Sequence, residues 1–329
     1  MDIRKQMKLN IGKFRRLSQT SSQHGTFTIL ALDHRQNLCK AFNSSHPETV
    51  PYHTLIEFKQ QVVRELASNA SAVLLDPEIG AAQSIASNSL PGNTGLLVAV
   101  EATGYVGNRS LRFSKVLPGW NIEKIARIGG SGAKLLIYYH PDAPNAHQQE
   151  VLILKVAGDC MRYDLPLFLE PITYSLDPNN KKLPSVEKKQ VVIETASRLS
   201  KLGADVLKIE FPVDTNQESD QRVWVKACTE LTQAVKIPWV LLSAGIDYNT
   251  FLQQVRVACQ AGASGVIAGR AIWGEAVELD GRARINFLRT TAVERLMKIK
   301  QVCDTLGKSF TEHYPEFLVE EGWYKKYGE

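Results

Sequence analysis

Gly203-Ala204-Asp205-Val206-Leu207-Lys208-Ile209-Glu210 is a short apolar run, opened by turn chemistry, with a lysine inside it. A run of this length and composition reads as a buried strand of a parallel sheet. A lysine in such a strand is costly unless its charge is compensated or used. One use is nucleophilic: a desolvated amine forms Schiff bases with carbonyl substrates. The bland alternatives are a lysine that snorkels from the strand end or one that pairs with Glu210, which shares its strand parity. A second anomaly of the same kind lies upstream, where Leu167-Phe168-Leu169 runs into Glu170.

Seven further apolar runs surround this one. Together the eight predicted strands cover residues 26–33, 72–76, 96–101, 133–139, 167–170, 205–210, 239–243 and 265–269. Helical spacing fills the intervals. Leu55, Phe58, Val62 and Leu66 share one face, as do Val192, Ala196, Leu199 and Leu202, and Phe251, Val255, Ala258 and Ala261. Strand–helix alternation implies a parallel sheet with crossover helices. Gly132-Ala133, Gly203-Ala204 and Gly262-Ala263 stand before strands four, six and eight, where a left-handed helix exit is expected. Eight such units predict a (β/α)8 TIM barrel, and no GxGxxG follows the first strand to suggest a dinucleotide fold. The 329 residues read as one domain, with a barrel core at about 26–273 and a helical extension at about 274–329.

Composition narrows the function. The chain is 44% hydrophobic and 22% charged, with a net charge of +5. No dense basic block interleaved with aromatics is present, so a nucleic-acid partner is not expected, and a small anionic substrate suits the mild basic excess. No run approaches the roughly 20 apolar residues that span a bilayer, and no leader-like stretch follows Met1, so a cytoplasmic protein without a membrane partner is expected. Five widely spaced cysteines without a CxxC pair fit a reducing compartment. The seven histidines form no helical metal-binding pair. Neither a metal nor another cofactor is expected.

Polar residues collect at or just past the predicted strand ends, the face on which such barrels build active sites. They are Asp33, Asp76, Glu78, Glu101, Glu170, Glu210, Ser243 and Arg270. Glu170 is a candidate general acid/base, against a structural ion pair. Lys134 opens the fourth predicted strand; a second ammonium near Lys208 would lower its pKa, whereas the bland reading is an exposed lysine at a strand start. Asp33 is a candidate for binding substrate hydroxyls or orienting Lys208, and His34 beside it for touching substrate. Asp76 and Glu78 are alternatively structural. Ser243-Ala244-Gly245 and Gly269-Arg270 follow strands seven and eight, where barrels commonly bind phosphate with backbone N–H groups. Loops at 103–118, 141–147 and 173–184 are expected at the pocket rim, and an aromatic, charged tail at 310–329 is left to cover the barrel or reach another subunit.

These motifs resemble class I aldolases of the tagatose 1,6-bisphosphate type, in a barrel superfamily that includes deoxyribose-phosphate aldolase. The likeness rests on Leu74-Leu75-Asp76-Pro77-Glu78, Thr103-Gly104-Tyr105, Leu135-Leu136-Ile137-Tyr138-Tyr139 and Phe168-Leu169-Glu170. Ile237-Pro238-Trp239-Val240-Leu241-Leu242-Ser243-Ala244-Gly245, Ala261-Gly262-Ala263-Ser264-Gly265 and Ala268-Gly269-Arg270-Ala271 are also similar to aldolases of 6-deoxy-6-sulfofructose 1-phosphate. The resemblance implies a Schiff-base lysine at Lys208 and an acid/base at Glu170, supported by Lys134 and Asp33. It implies a phosphorylated sugar substrate, bound by its 1-phosphate at Ser243, Ala244, Gly245, Gly269 and Arg270, with His34 and Arg35 at the remainder. Asp33-His34-Arg35 departs from the Asp-Gln-Arg frequent in that family, which bears on substrate hydroxyl contacts. A homo-oligomer is compatible with all of this.

Overall fold

The computed structural model describes residues 9–180, 182–314 and 319–328. Its strands are β1 (Phe27–Leu32), β2 (Ala72–Leu75), β3 (Gly95–Ala99), β4 (Val106–Asn108), β5 (Leu111–Phe113), β6 (Gly132–Tyr139), β7 (Leu167–Thr173), β8 (Val206–Ile209), β9 (Trp239–Leu242) and β10 (Gly265–Ala268). The helices are α1 (Ile11–Thr20), α2 (Gln36–Phe42), α3 (Tyr52–Leu66), α4 (Ala81–Ala86), α5 (Ile122–Arg127), α6 (Ala146–Arg162), α7 (Ser185–Leu199), α8 (Gln221–Ala234), α9 (Tyr248–Gln260), α10 (Arg270–Trp273), α11 (Gly281–Phe287) and α12 (Val293–Leu306). Eight strands close into a parallel barrel in the order β1-β10-β9-β8-β7-β6-β3-β2, the expected (β/α)8 fold. Leu55, Phe58, Val62 and Leu66 are the buried face of α3, as their spacing requires.

The strand bounds shift in one informative place. The run ending at Glu170 was expected to stop there, yet β7 continues to Thr173 because β6 pairs with it over seven positions, from Ala133↔Leu167 to Tyr139↔Thr173. Glu170 is therefore an interior strand residue. The glycine signals also divide. Gly203 and Gly262 take φ values of +89° and +107°, as helix exits do. Gly132 does not; it opens β6, where an added Cβ would lie 2.9 Å from the ring of Phe168.

Two elements stand outside the expected plan. The segment 103–118 is no plain loop: β4 and β5 form an antiparallel hairpin, with Gly107 opposite Arg112. Helix α1 precedes the barrel, started by Asn10, whose side chain accepts from the Lys13 N–H at 2.7 Å. α1 and the C-terminal segment close the N-terminal end of the barrel. Leu9 and Leu17 join Phe27, Ile29, Leu74, Leu97, Phe168, Val206, Val240 and Ile267 in one apolar cluster inside the barrel, and Phe310 completes it. Lys13 is buried there, 2.7 Å from the Asp205 carboxylate. The Tyr314 hydroxyl donates to the Asp205 carbonyl, and the Tyr327 hydroxyl to Asp164, each at 2.7 Å. The described part of the tail thus packs under its own barrel, which leaves the opposite end free for a site. Gly281 to Leu306 form a continuous helical extension, with one π turn at Leu288–Ala292. Among the described residues, no helix is long and apolar enough to cross a membrane.

Candidate active site

The barrel strands carry their charged residues to one cavity of about 500 Å³ at the C-terminal mouth, a size suited to a small ligand. Asp33, Lys134, Glu170 and Lys208 line one part of it, and Ser243, Ala244, Gly245, Gly269 and Arg270 another. His34, Arg35, Glu101 and Glu210 line it as well, whereas Asp76 and Glu78, the other two strand-end carboxylates named from the sequence, do not.

Lys208 lies in β8 and is 5% exposed. Its Nζ stands 2.6 Å from Glu170 Oε1 on the adjacent strand β7. It does not pair with Glu210, whose carboxylate instead accepts from the Thr173 N–H (2.9 Å) and hydroxyl (2.7 Å). The length of β7 explains this: its last residue reaches the level of Glu210 and takes that carboxylate.

Lys134 is 1% exposed and sits inside β6, not at an exposed strand start. Its Nζ is 2.8 Å from Asp33 Oδ2, 2.7 Å from Glu101 Oε1 and 2.8 Å from Glu170 Oε2. Glu101 also accepts from the Leu136 N–H at 3.1 Å. Two lysines therefore stand among three carboxylates, two drawn from the exits of β1 and β3 and one from within β7. Burial disfavours the charge of Lys134, yet Asp33, Glu101 and Glu170 outweigh it and raise its pKa well above the usual lysine value. Burial likewise opposes ionisation of Asp33 and Glu170, but Lys134 and then Lys208 hold both carboxyl groups below their usual range. Lys134, Asp33 and Glu170 are thus held charged by mutual compensation, in a place where an isolated charge would neutralise.

His34 packs edge-on against Trp273, with ring centroids 5.4 Å apart. Its Nδ1 is 4.0 Å from Asp33 Oδ1 and accepts no hydrogen bond among the described residues. Burial, reinforced by Arg270 and Lys208 and only partly opposed by Asp33, lowers its pKa to about 4. The imidazole is therefore neutral near pH 7. Arg35 is committed to the scaffold: Nη1 donates to Glu78 at 2.6 Å, and Nη2 to the Glu101 carbonyl at 2.9 Å. Asp76 is structural. It is fully buried against Lys59 and accepts the backbone N–H groups of Glu78 and Ile79.

Across the mouth, the exit of β9 turns sharply. Ala244 and Gly245 have φ values of +48° and +73°, and a non-glycine residue in that region costs on the order of 1–2 kcal/mol. The Arg270 guanidinium lies against this turn, since a Cβ on Gly245 would fall 2.9 Å from its Cζ. Gly269 is needed for close packing: a Cβ there would lie 2.7 Å from the Ala31 carbonyl and 3.0 Å from His34. Arg270 makes no ion pair among the described residues. The helix that follows, α10, is a single turn.

Sequence reasoning left Glu101 without a role, although it carries the same signal as Glu170, a carboxylate closing an apolar run. It also missed Gln36, Asn37 and Lys40 of α2, which line the rim, because a seven-residue helix directly after a strand leaves no periodicity to read. Among the described residues, no group of three or more His, Cys, Asp or Glu is arranged to hold a metal ion; the carboxylates that converge do so around an ammonium.

Comparison with known proteins places this geometry in context. Residues 27–275 match the model of the DeoC/LacD family aldolases. A tagatose 1,6-diphosphate aldolase of Staphylococcus haemolyticus is 31% identical over 91% of this chain and 97% of its own length. Tagatose 1,6-diphosphate aldolase 2 of Enterococcus faecalis is 32% identical over 95% and 99%. Among solved structures, a fructose-bisphosphate aldolase from Plasmodium falciparum superposes with a TM-score of 0.70, covering 92% of this chain and 97% of that one at 14% identity. A Schiff-base-forming fructose-1,6-bisphosphate aldolase gives 0.59 at 19% identity, covering 85% and 98%. At those identities the structural likeness is one of fold.

Proposed function

This chain belongs to the DeoC/LacD family of aldolases, and from that premise we propose that it is a class I aldolase that reversibly cleaves a ketose 1-phosphate, most closely of the tagatose 1,6-bisphosphate kind, to dihydroxyacetone phosphate and an aldehyde. The observation that carries the reading is the Glu170 carboxylate suspended between two buried lysines, 2.6 Å from Lys208 and 2.8 Å from Lys134.

The chemistry follows from that contact. Transfer of one proton from the Lys208 ammonium to Glu170 yields a neutral amine and a carboxylic acid side by side. The amine attacks the C2 carbonyl to give a carbinolamine. Glu170 returns its proton to the departing hydroxyl, water leaves, and an iminium remains on Lys208. The Glu170 carboxylate then takes the C4 hydroxyl proton. The C3–C4 bond breaks, its electron pair moves into an enamine, and C4 departs as the aldehyde. Protonation of the enamine at C3 and hydrolysis of the new iminium release dihydroxyacetone phosphate and regenerate the amine. Lys134 stays charged throughout and keeps Asp33 and Glu101 in place. The 1-phosphate is assigned to Arg270 and the Ser243–Gly245 turn, which lie across the same cavity.

Borohydride reduction in the presence of dihydroxyacetone phosphate, followed by peptide mass spectrometry, tests the reading. A reduced adduct on Lys208, absent from Lys208→Ala, is the expected result. Full cleavage activity in Lys208→Ala would remove the mechanism.

A further inference from the structure

Glu210 stands at the exit of β8, nearer the mouth than Lys208 and on the same inward face. Its Oε2 accepts from both the N–H and the hydroxyl of Thr173, at 2.9 Å and 2.7 Å, so the carboxylate is held in one orientation. Among the described residues, its Oε1 has no hydrogen-bond donor, and no lysine or arginine pairs with the group. The other carboxylates that line the cavity are answered by cations: Asp33, Glu101 and Glu170 by Lys134, and Glu170 also by Lys208. A fixed carboxylate with one oxygen left open to a cavity is a ready acceptor for a ligand hydroxyl.

Strand register says what this oxygen faces. β7 pairs with β8 at Leu169↔Leu207, which sets Glu170 beside Lys208 and, one layer nearer the mouth, Ile172 beside Glu210. β8 pairs with β9 at Ile209↔Leu241, which sets Leu242 on the other side of Glu210. Glu210 thus stands over the amine between two apolar side chains that offer a ligand no hydrogen bond, and both of them line the cavity. Consider a ketose bonded through C2 to Lys208, with its 1-phosphate at the exits of β9 and β10 and its C4 hydroxyl at Glu170 on β7. Its C3 crosses the boundary of β8 and β7, beneath Glu210. Asp33, the other candidate for substrate hydroxyls, stands at the exit of β1, three places from β8 in the barrel order, and gives Oδ2 to Lys134. The uncompensated charge of Glu210 also disfavours an anion at this point of the wall, which keeps the phosphate end at Arg270.

Resting on the aldolase reading, we propose that Glu210 is a specificity-determining residue whose open oxygen accepts a hydrogen bond from the C3 hydroxyl of the ketose, and that Thr173 is the positioning residue that aims it. The C3 hydroxyl stays on dihydroxyacetone phosphate after C4 has left. The contact therefore lasts through the cycle and holds C3 in one orientation while its bond to C4 breaks and its bond to hydrogen forms.

The test compares dihydroxyacetone phosphate with hydroxyacetone phosphate, which has the same phosphate and C2 carbonyl and lacks only the C3 hydroxyl. For each ligand, the concentration that half-saturates borohydride trapping on Lys208 is measured. Loss of a hydrogen bond to a charged group corresponds to about ten- to a hundredfold, and wild type is expected to favour dihydroxyacetone phosphate by that factor. Glu210→Met is expected to close the gap by weakening dihydroxyacetone phosphate selectively. Glu210→Gln keeps a neutral acceptor of the same shape and is expected to retain part of the gap. Thr173→Val removes one of the two bonds that aim the carboxylate and is expected to narrow the gap, and Thr173→Ser to restore it. A wild type that traps both ligands at the same concentration overturns the proposal, and so does a Glu210→Met protein that weakens both by one factor. A gap that survives in Glu210→Met and closes in Asp33→Asn overturns it in favour of Asp33. Wild type that traps both ligands without a gap loses only the hydroxyl contact; wild type that traps neither on Lys208 loses the aldolase reading and this proposal with it.

Discussion

The Oε1 of Glu170 lies 2.6 Å from the Nζ of Lys208, across the pairing of two neighbouring barrel strands. Both groups are more than nine-tenths buried. The contact holds the amine and the acid within one proton transfer of the neutral pair that imine formation requires. Replacing Glu170 with Gln keeps the shape and removes the proton. Glu170→Gln is expected to slow single-turnover cleavage on the order of 10²–10⁴-fold, and to slow formation of the borohydride-trappable species on Lys208 as well. Unimpaired imine formation with slow cleavage would restrict Glu170 to the C4 proton.

Lys134 is the electrostatic keystone of the mouth, and its removal is expected to cost stability before anything else. Lys134→Met leaves Asp33, Glu101 and Glu170 without their shared cation, which for a broken buried pair means about 3–5 kcal/mol. The sign with pH follows from the carboxylates. Asp33 and Glu170 are held below their ordinary values of 3.8 and 4.5. Their stabilising contribution is complete above those values and is lost as pH falls through the lower folded ones. Wild type should therefore weaken on acidification below about pH 4.5, while the variant, whose carboxyl groups no longer stay ionised, weakens less. Urea midpoints at pH 7 and pH 4 should show the gap between the two proteins closing. A gap independent of pH would mean that Lys134 acts by packing alone.

His34 provides a separate pH window. Its pKa is lowered from 6.5 to about 4 in the fold. A group whose folded pKa is depressed contributes stability above its unfolded value, and that contribution is lost as pH falls toward the folded one. Wild type should thus lose stability between pH 6.5 and 4, whereas His34→Gln, which does not titrate, should lack this part of the slope. Unfolding curves at pH 7, 5.5 and 4.5 check it. Identical slopes would place a proton on the folded imidazole at pH 5.5.

The barrel and the two buried charges of its mouth, Lys208 and Glu170, were legible for one physical reason. Each barrel strand is a short apolar run, and a charge inside such a run is conspicuous because burial makes it expensive. Lys208 and Glu170 stood out in this way. The cluster around Lys134 did not, because Asp33, Glu101 and Glu170 come from three strands spread over 138 positions of sequence, and only barrel closure brings them to one nitrogen. The hairpin around Arg112 was hidden for another reason. Its strands have three residues each, and β4 is wholly exposed, so no alternation marks them. Helix α1 carried its signals in Asn10, Phe14 and Leu17, but its basic, polar remainder masked the apolar face.

The floor of the barrel should matter to folding and not to chemistry. Phe310 is 1% exposed and packs against Phe27 and Phe14 at the end opposite the site, with both ring separations 5.7 Å. Phe310→Ala is expected to cost about 3–5 kcal/mol. Below its lowered melting temperature, the variant should still trap dihydroxyacetone phosphate on Lys208 with wild-type yield. Loss of trapping in a folded Phe310→Ala protein would show that the two ends of the barrel are coupled.

The Gly245–Arg270 contact tests the proposed phosphate corner most directly. At φ +73°, alanine pays the left-handed penalty of about 1–2 kcal/mol, and its methyl would press on the guanidinium carbon, 2.9 Å away. The backbone cost appears in the unfolding midpoint. The displaced Arg270 appears in binding, where loss of one charge-assisted contact of about 1.5–3 kcal/mol corresponds to a ten- to hundredfold weaker grip on the 1-phosphate. Calorimetric titration with dihydroxyacetone phosphate separates the two effects, because Arg270→Met removes the grip without the strain. If Gly245→Ala and Arg270→Met weaken binding by the same factor while only Gly245→Ala lowers the midpoint, the glycine acts through the arginine. If Arg270→Met binds as wild type does, the backbone turn alone holds the phosphate, and the contact between the two residues is a matter of packing.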